Sequence, residues 1–174
     1  GAVLHFLGAP ILASPWFSFP ISTERRSGFL TPTYGMSSTR GVDIAVPYYF
    51  NIAPNYDYTF TPRVMTKRGV MLGNEGRFKY DNFETQVNFD YLPDDRVYDD
   101  SRWGTRIQAA YNREKLAFRA DYNRVSDDDY VTDFSGSVRE SSEAILPQDY
   151  SLSWTDTYWN STLRVTKNQA LEIE

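Results

Sequence analysis

From residue 40 onwards, apolar and polar side chains alternate with a period of two along most of the chain. In the stretch that begins at Tyr56, polar residues separate Tyr58, Phe60 and Val64 from one another. Successive side chains of a β-strand point to opposite faces of the sheet, so such a stretch predicts a strand with one apolar and one polar face. No stretch shows a helical period of comparable strength. The chain is therefore predicted to be all-β.

We expect about nine strands, the first two at 28–38 and 42–50, and most of them about ten residues long. At roughly 3.3 Å per residue and a tilt near 40°, ten residues rise by about 25 Å, the height of the apolar band of an outer-membrane barrel. Strands of soluble proteins are usually about five or six residues long. Aromatic residues make up 16% of the chain, which suits the aromatic girdles of a barrel. The pattern favours a segment of an antiparallel transmembrane β-barrel, and a soluble β-sandwich is the alternative.

Short and long connections follow one another between the predicted strands. The links at 80–83, 112–115 and 155–158 are short, whereas 92–102 and 124–148 are long and rich in Asp and Ser. Outer-membrane barrels have short periplasmic turns and longer outer loops, and we expect the same arrangement here. The Asp-rich stretches 94–100 and 127–129 could offer oxygen ligands to Ca²⁺ or Mg²⁺ at the outer surface, but they lack an EF-hand pattern. Solvated loops are therefore expected rather than a metal site.

Nine antiparallel strands form a sheet with two open edges, whereas bacterial single-chain barrels close with an even number of strands. Each unpaired backbone group that faces lipid costs several kcal/mol. Residues 170–174 are also strand-like, so we expect the chain to be part of a longer protein. The apolar stretch 1–20 lacks the basic start of a signal peptide and contains three prolines. One or two short strands are expected there.

Composition and motifs argue against several classes of function. The net charge is -5, and no Lys/Arg run is long, which argues against a nucleic-acid partner. Without cysteine, the chain has no disulfide or thiolate metal site. His5 is the single histidine, and no Ser-His-Asp, H-E-x-x-H or P-loop pattern occurs. We therefore expect no enzyme activity, no catalytic residue and no cofactor, and an outer-membrane esterase is the weakest alternative.

Five motifs, in order between residues 10 and 95, resemble segments of the LptD family of lipopolysaccharide-assembly proteins. They are 10–16 (PILASPW), 24–32 (ERRSGFLTP), 46–57 (VPYYFNIAPNYD), 61–69 (TPRVMTKRG) and 90–95 (DYLPDD). The third resembles the family's P-Y/F-Y-W-N-I-A-P-N-x-D signature, although Phe50 stands where the family often has Trp. Beyond residue 100 the resemblance rests mainly on the strand pattern.

The resemblance implies a fold and a location. Residues 1–23 are expected to be the last strand or two of a periplasmic β-jellyroll, followed by a hinge. Residues 24–174 are expected to be the N-terminal part of a large barrel in the cell outer membrane. The N-terminal residues would then lie in the periplasm.

The resemblance also implies lipopolysaccharide transport. The lipid would arrive along an LptA-type periplasmic bridge, enter the jellyroll and reach the outer leaflet through a seam between the first and last barrel strands. An LptE-type lipoprotein would plug the lumen. Two alternatives remain open. A general porin does not account for five ordered motifs, and a soluble carbohydrate- or lipid-binding β-domain needs the aromatic faces of its strands to pack on one another.

Pro32 and Pro47 fall in the first two predicted strands. Proline donates no ladder hydrogen bond and is normally confined to edge strands, strand ends or bulges. In the interpretation that the resemblance implies, these two residues weaken the seam and form a lateral gate. In the simpler interpretation, each proline only ends a strand.

Five other residues are candidates for the lipopolysaccharide path. Arg25 and Arg26 precede the first barrel strand, and guanidinium groups bind phosphates and carboxylates well. Trp16, Phe17 and Phe19 lie in the expected jellyroll segment, where they would contact acyl chains. The simpler interpretations are a solvated or paired basic group for each arginine and an ordinary core position for each aromatic residue.

Overall fold

The computed structural model describes residues 2–6, 9–14, 25–134 and 145–171. It confirms an all-β antiparallel chain, with one short helix, α1, at Tyr130–Phe134. Two short strands, β1 (Ala2–Phe6) and β2 (Ala9–Ser14), pair with each other. The remaining strands form one sheet and are β3 (Gly28–Phe29), β4 (Thr33–Ser37), β5 (Gly41–Ala45), β6 (Tyr48–Ala53), β7 (Tyr56–Met65), β8 (Gly69–Tyr80), β9 (Phe83–Asp95), β10 (Asp100–Arg113), β11 (Leu116–Val125), β12 (Ile145–Thr155) and β13 (Asn160–Ala170).

The sheet is an antiparallel meander in which neighbours along the chain are mostly neighbours in space. β5 and β6 lie end to end along β7, and β4 and β3 lie end to end along β5 and β6. The first two predicted strands are therefore each divided in two, which explains why 11 strands occupy the places of about nine predicted ones. Within the described residues the sheet stays open, with β3 and β4 at one edge and β13 at the other.

The first strand contains a bulge at residues 30–32. Phe29 pairs with Tyr48, and Thr33 pairs with Ala45. Thr33 is 33 − 29 = 4 positions after Phe29, whereas Ala45 is 48 − 45 = 3 positions before Tyr48. The edge strand thus carries one residue more than its partner, which bends it and leaves part of it without ladder bonds.

Tight turns join the long strands at the end of the sheet where short connections were predicted. β8 and β9 are joined through Asp81, which has a φ of 40°, and β10 and β11 through Glu114, which has a φ of 46°. Two-residue hairpin turns require such left-handed backbone because its twist matches that of the strands. The predicted short connections at these two places are confirmed.

The long connection predicted at 92–102 is wrong. β9 continues to Asp95 and β10 begins at Asp100, so only a four-residue turn, 96–99, remains. Leu92, Asp95 and Arg102 lie in this region and are each 0% exposed. Because they pack against one end of the sheet, the strands continue through them. The connection after β11 is long, as predicted, and contains α1.

The two faces of the sheet differ in the way that the alternation predicted. On β9, Val87 and Phe89 are 39% and 41% exposed on one face, whereas Gln86 and Asn88 on the other face both donate hydrogen bonds to Glu75. The exposed apolar face extends across the sheet and includes Tyr56, Val64, Val70, Phe78, Leu152, Trp154, Leu163 and Val165. Within the described residues, these aromatic and aliphatic side chains do not meet in the shared core that a soluble β-domain requires.

Among the described residues, eight of the ten buried apolar side chains instead form one small cluster that includes part of α1, and only Ala45 and Tyr49 are buried outside it. Its members are Met65, Met71, Leu92, Val125, Tyr130, Phe134, Leu146 and Leu171. No helix in the part of the chain that the structure describes is long and apolar enough to cross a membrane.

Candidate functional site

Pro32 and Pro47 lie in the two breaks of the first hairpin. Pro32 lies in the bulge between β3 and β4, and Pro47 lies between β5 and β6. Two residue pairs join β3 to β6 and five join β4 to β5, whereas ten join β10 to β11. Neither proline has an N–H to donate, although the Pro47 carbonyl accepts a hydrogen bond from the Leu30 N–H at 2.9 Å. The edge of the sheet therefore has few backbone hydrogen bonds. This position of the prolines agrees with a lateral gate and equally with prolines that only end a strand.

Aromatic side chains support the hairpin beside this break. The Phe29 ring meets the Tyr48 ring edge to face at 4.9 Å between centroids, and Tyr48 lies 4.6 Å from Phe50. Phe50 lies 5.7 Å from Tyr58 on β7. Each such pair stabilises by about 0.5–1.5 kcal/mol beyond its buried area. Side-chain packing thus holds β3 in place where backbone pairing is short.

The Asp57 cluster consists of Arg25, Tyr49, Asp57 and Arg77. The Asp57 side chain is 3% exposed, and its carboxylate accepts hydrogen bonds from the Tyr49 hydroxyl at 3.1 Å and from Arg77 Nε at 2.8 Å. Arg25 Nη2 forms an ion pair with the same carboxylate. A buried carboxylate without a cationic partner is strongly destabilising, and here two guanidinium groups compensate it.

Further side-chain hydrogen bonds attach segment 25–27 to β6. Arg25 Nη1 donates to the Pro54 carbonyl at 3.3 Å, and Arg25 Nε donates to the Tyr49 hydroxyl at 3.0 Å. The Asn51 side-chain amide donates to the Arg25 carbonyl at 2.7 Å. The Asn51 backbone N–H donates to Ser27 Oγ at 2.8 Å. The segment is therefore fixed before the first strand begins.

The Arg102 cluster lies at the opposite end of the sheet and consists of Arg68, Asp95, Arg102, Asp127 and Asp133. The Arg102 and Asp95 side chains are 0% exposed and lie 3.1 Å apart. Arg102 also pairs with Asp133 at 2.6 Å and donates to Asp127 at 2.9 Å. Arg68 pairs with Asp95 and with Asp133, both at 2.6 Å. These contacts join the β7–β8 turn, the ends of β9 and β10, and segment 126–134 into one unit.

Aromatic rings surround the guanidinium groups of the Arg102 cluster. The Arg102 guanidinium lies 4.7 Å from the Tyr98 ring centroid and 4.8 Å from that of Phe134. The Tyr130 ring lies against Gly104, where a Cβ atom would come within 2.7 Å of it. The Tyr130 hydroxyl is buried and has no hydrogen-bond partner among the described residues. Burial raises the pKa of Tyr130, and the negative charge of Asp90 adds to the effect.

Sequence reasoning missed this cluster and interpreted the Asp-rich stretches 94–100 and 127–129 as solvated loops. That interpretation is wrong for Asp95 and Asp127, whose side chains are 0% and 8% exposed. The sequence did contain one indication of the cluster, since a meander of the predicted strands brings several Asp and Arg residues to the same end of the sheet. Their burial depends on contacts between residues far apart in the chain.

An open polar groove of about 1080 Å³ lies on the inner face, near the tight turns. Its lining includes Gln86, Gln108, Arg119, Asp121, Asp149 and Arg164. The Arg164–Asp149 pair is 3.0 Å apart and largely exposed. Exposed pairs of this kind contribute little to stability, so these groups are available to a polar partner.

The structure does not bring all the predicted site residues together. Arg25 lies in the Asp57 cluster, Arg26 is exposed, and the two prolines lie in the hairpin breaks. The other three candidates, Trp16, Phe17 and Phe19, lie outside the described residues.

The sequence is similar to that of known proteins along almost its whole length. The family model described as "LptD protein" matches residues 1–172. Proteins named LPS-assembly protein LptD are similar: that of Albidiferax ferrireducens is 41% identical over 99% of this chain and 23% of its own length. Those of Bordetella pertussis and Cupriavidus pinatubonensis are 43% and 42% identical over 98% of this chain and 22% and 21% of their own lengths. The chain thus spans about a fifth of the length of these curated relatives. With a family match over nearly all of its residues, the chain belongs to the LptD protein family.

Proposed function

We propose that this chain forms part of the wall of an outer-membrane β-barrel that moves lipopolysaccharide into the outer leaflet, with its first hairpin as one side of a lateral gate. The observation that supports the proposal is a sheet with an exposed apolar face, a polar opposite face and an edge that is poor in hydrogen bonds. Each backbone pair broken in hydrocarbon costs several kcal/mol. An edge interrupted at Pro32 and Pro47 therefore opens more easily than a full ladder.

In this proposal, residues 24–174 are the N-terminal part of the barrel in the cell outer membrane. Residues 1–23 are the end of a periplasmic β-jellyroll and a hinge, where Trp16, Phe17 and Phe19 contact acyl chains. Arg25 and Arg26 lie beside the path of the lipid's phosphates. Because Arg25 already donates to Tyr49, Pro54 and Asp57, its contact with a phosphate requires an exchange of partners.

Two protein partners complete the proposal. The polar groove on the inner face offers paired but exposed charges, and we assign it to an LptE-type lipoprotein that plugs the lumen. The upstream jellyroll receives lipopolysaccharide from an LptA-type periplasmic bridge. The relatives' name, LPS-assembly protein, supports lipopolysaccharide as the cargo.

The proposal is tested by photo-cross-linking in intact cells that carry the full-length protein. Photoactivatable side chains are placed at Phe19, Pro32 and Pro47, and at Gln108 in the polar groove as a control. We expect lipopolysaccharide adducts at the first three positions and none at Gln108. Depletion of the periplasmic bridge distinguishes lipid in transit from resident lipid, because only transit adducts then disappear. Adducts that persist after depletion, or their absence at Pro32 and Pro47, contradict the gate.

A general porin is the second candidate function, because a polar inner face also suits a water-filled channel. A porin predicts uptake of small hydrophilic solutes that depends on the polar groove. It also predicts export of lipopolysaccharide that is indifferent to substitutions at Pro32 and Pro47. Measuring both in the same cells separates the two functions.

A further inference from the structure

We propose that Asp57 is a positioning residue that fixes segment 25–27 against β6 and β7, so that the chain meets the first edge of the sheet in one orientation. The role lies in the placement of the preceding chain.

The backbone contributes little to the attachment of the first strand. Only Gly28 and Phe29 pair with β6 before the bulge at 30–32 begins. An edge strand with so short a ladder frays readily, since local opening is easiest where few hydrogen bonds and contacts must break. Side chains must therefore supply the attachment of the residues that precede Gly28.

Arg25 supplies that attachment by reaching across β6 to a carboxylate on β7. Its guanidinium forms an ion pair with Asp57, donates to the Tyr49 hydroxyl and lies 6.0 Å from the Tyr49 ring centroid. Tyr49 belongs to β6 and Asp57 to β7. The Arg25 side chain thus connects the segment before β3 to both β6 and β7.

Arg77 keeps Asp57 in place independently of Arg25. It lies on β8 and donates to both carboxylate oxygens, at 2.8 Å and 3.2 Å. The two arginine side chains are similarly exposed, at 50% for Arg25 and 47% for Arg77. They share one carboxylate, but only Arg25 belongs to the incoming segment. Arg77 is therefore a matched control that separates positioning from general stability.

The anchored part of the first strand ends at the bulge. Residues 25–29 are attached through the Asp57 cluster, Asn51 and the aromatic pair Phe29–Tyr48, whereas β4 is attached through its ladder to β5. Here the inference rests on the proposed function: if the edge opens as a gate, the anchor keeps the incoming chain beside the opening.

The test is limited trypsin digestion of the full-length protein in detergent, without lipopolysaccharide, with the cleavage rate after Arg26 measured by mass spectrometry. Trypsin acts on the locally opened segment, so the rate follows the open population. We expect Arg25→Gln and Asp57→Asn to accelerate cleavage about tenfold through loss of charged hydrogen bonds. Arg77→Gln should stay within about twofold of the parent protein, and Arg25→Lys should restore part of the protection.

An equal acceleration in Arg77→Gln shows that Asp57 only stabilises the sheet and overturns the proposal, as does an unchanged rate in Arg25→Gln. Folding of every variant is checked by its heat-dependent mobility on gels. If Asp57→Asn does not fold, the Arg25→Gln and Arg77→Gln pair decides. Because the digestion contains no lipid, its outcome is independent of the cross-linking test for export.

Discussion

The Arg102 guanidinium contacts three carboxylates and lies over aromatic rings, with no exposed surface of its own. At the level of single residues, the importance of such a group for stability is seen mainly in the free energy of unfolding that is lost when it is replaced. Transfer of an ion from water is expensive, and here it is offset by several short hydrogen bonds. Without Arg102, Arg68 alone would pair with Asp95 and Asp133, and Asp127 would lose its ion pair.

We predict that Arg102→Met destabilises the folded protein by about 3–5 kcal/mol, because Asp95, Asp127 and Asp133 lose their shared cation. The control is Arg106→Met on the same strand, where the pair with Asp121 is 53% and 35% exposed. We expect it to cost less than about 1 kcal/mol. Urea unfolding of the full-length protein in detergent measures both, and equal costs would contradict the assigned role of the Arg102 cluster.

The second residue-level prediction concerns Tyr130, in the loop segment outside the strands. Its pKa is raised above the ordinary value of 10.0 by burial. Above that pH the unfolded chain releases the phenolic proton before the folded protein does, so stability falls as the pH rises beyond 10. Tyr130→Phe should remove this part of the alkaline loss. At neutral pH it should be neutral or stabilise by about 1 kcal/mol, because an unpartnered buried hydroxyl is removed.

The measurement is the urea midpoint of both proteins between neutral pH and pH values above 10. Parallel midpoints across this range would show that the Tyr130 hydroxyl does not titrate differently in the two states. A marked loss of stability at neutral pH would instead show that the hydroxyl has a partner.

At the level of the secondary-structure elements, the first hairpin differs from every other hairpin of the described sheet. Its two strands are each divided at a proline, and the edge strand contains a bulge. Prolines and bulges are devices that prevent an edge from forming a continuous ladder. The later strands are 10 to 14 residues long and pair along most of their length.

We predict that Pro32→Ala combined with Pro47→Ala slows lipopolysaccharide export, because restored N–H groups let the seam form a fuller ladder. Pro147→Ala is the matched control, since Pro147 lies within β12, far from the first edge. Export is measured by the appearance of newly made lipopolysaccharide at the cell surface. Unchanged export in the double variant, or equal slowing in the control, would remove the gate assignment.

At the level of the whole molecule, the sheet reverses the usual distribution of side chains in a soluble protein. Its apolar face is exposed, and its polar face carries the buried ion pairs. Contiguous exposed apolar patches of this extent mark a surface that is covered by another phase or partner. A lipid bilayer around the sheet satisfies this requirement.

We predict that Leu152→Arg destabilises the protein in lipid vesicles by about 2–4 kcal/mol, because the substitution places a charge on the lipid-facing side. Leu152 is 43% exposed, whereas its neighbour Ser153 lines the polar groove. We therefore expect Ser153→Arg to be tolerated. Urea titrations of folding into vesicles compare the two, and similar costs would argue against lipid on the apolar face.

The strand pattern could be predicted because it is a local property of the sequence. Alternation around Phe89 defines a strand and its two faces whatever the neighbouring strands are. The short links at Asp81 and Glu114 could likewise be predicted, because a tight turn is formed by residues adjacent in sequence. Pro32 and Pro47 were recognised as interruptions for the same reason, since the missing N–H belongs to the residue itself.

The sequence by itself thus determined the all-β class, the apolar and polar faces and the interruptions of the first hairpin. Only the tertiary structure decided that Asp95 and Asp127 are buried, that Arg25 reaches Asp57, and that the first strand has a bulge. The physical reason is that alternation depends on neighbours along the chain. Burial, ion pairing and register depend on which distant strands lie side by side.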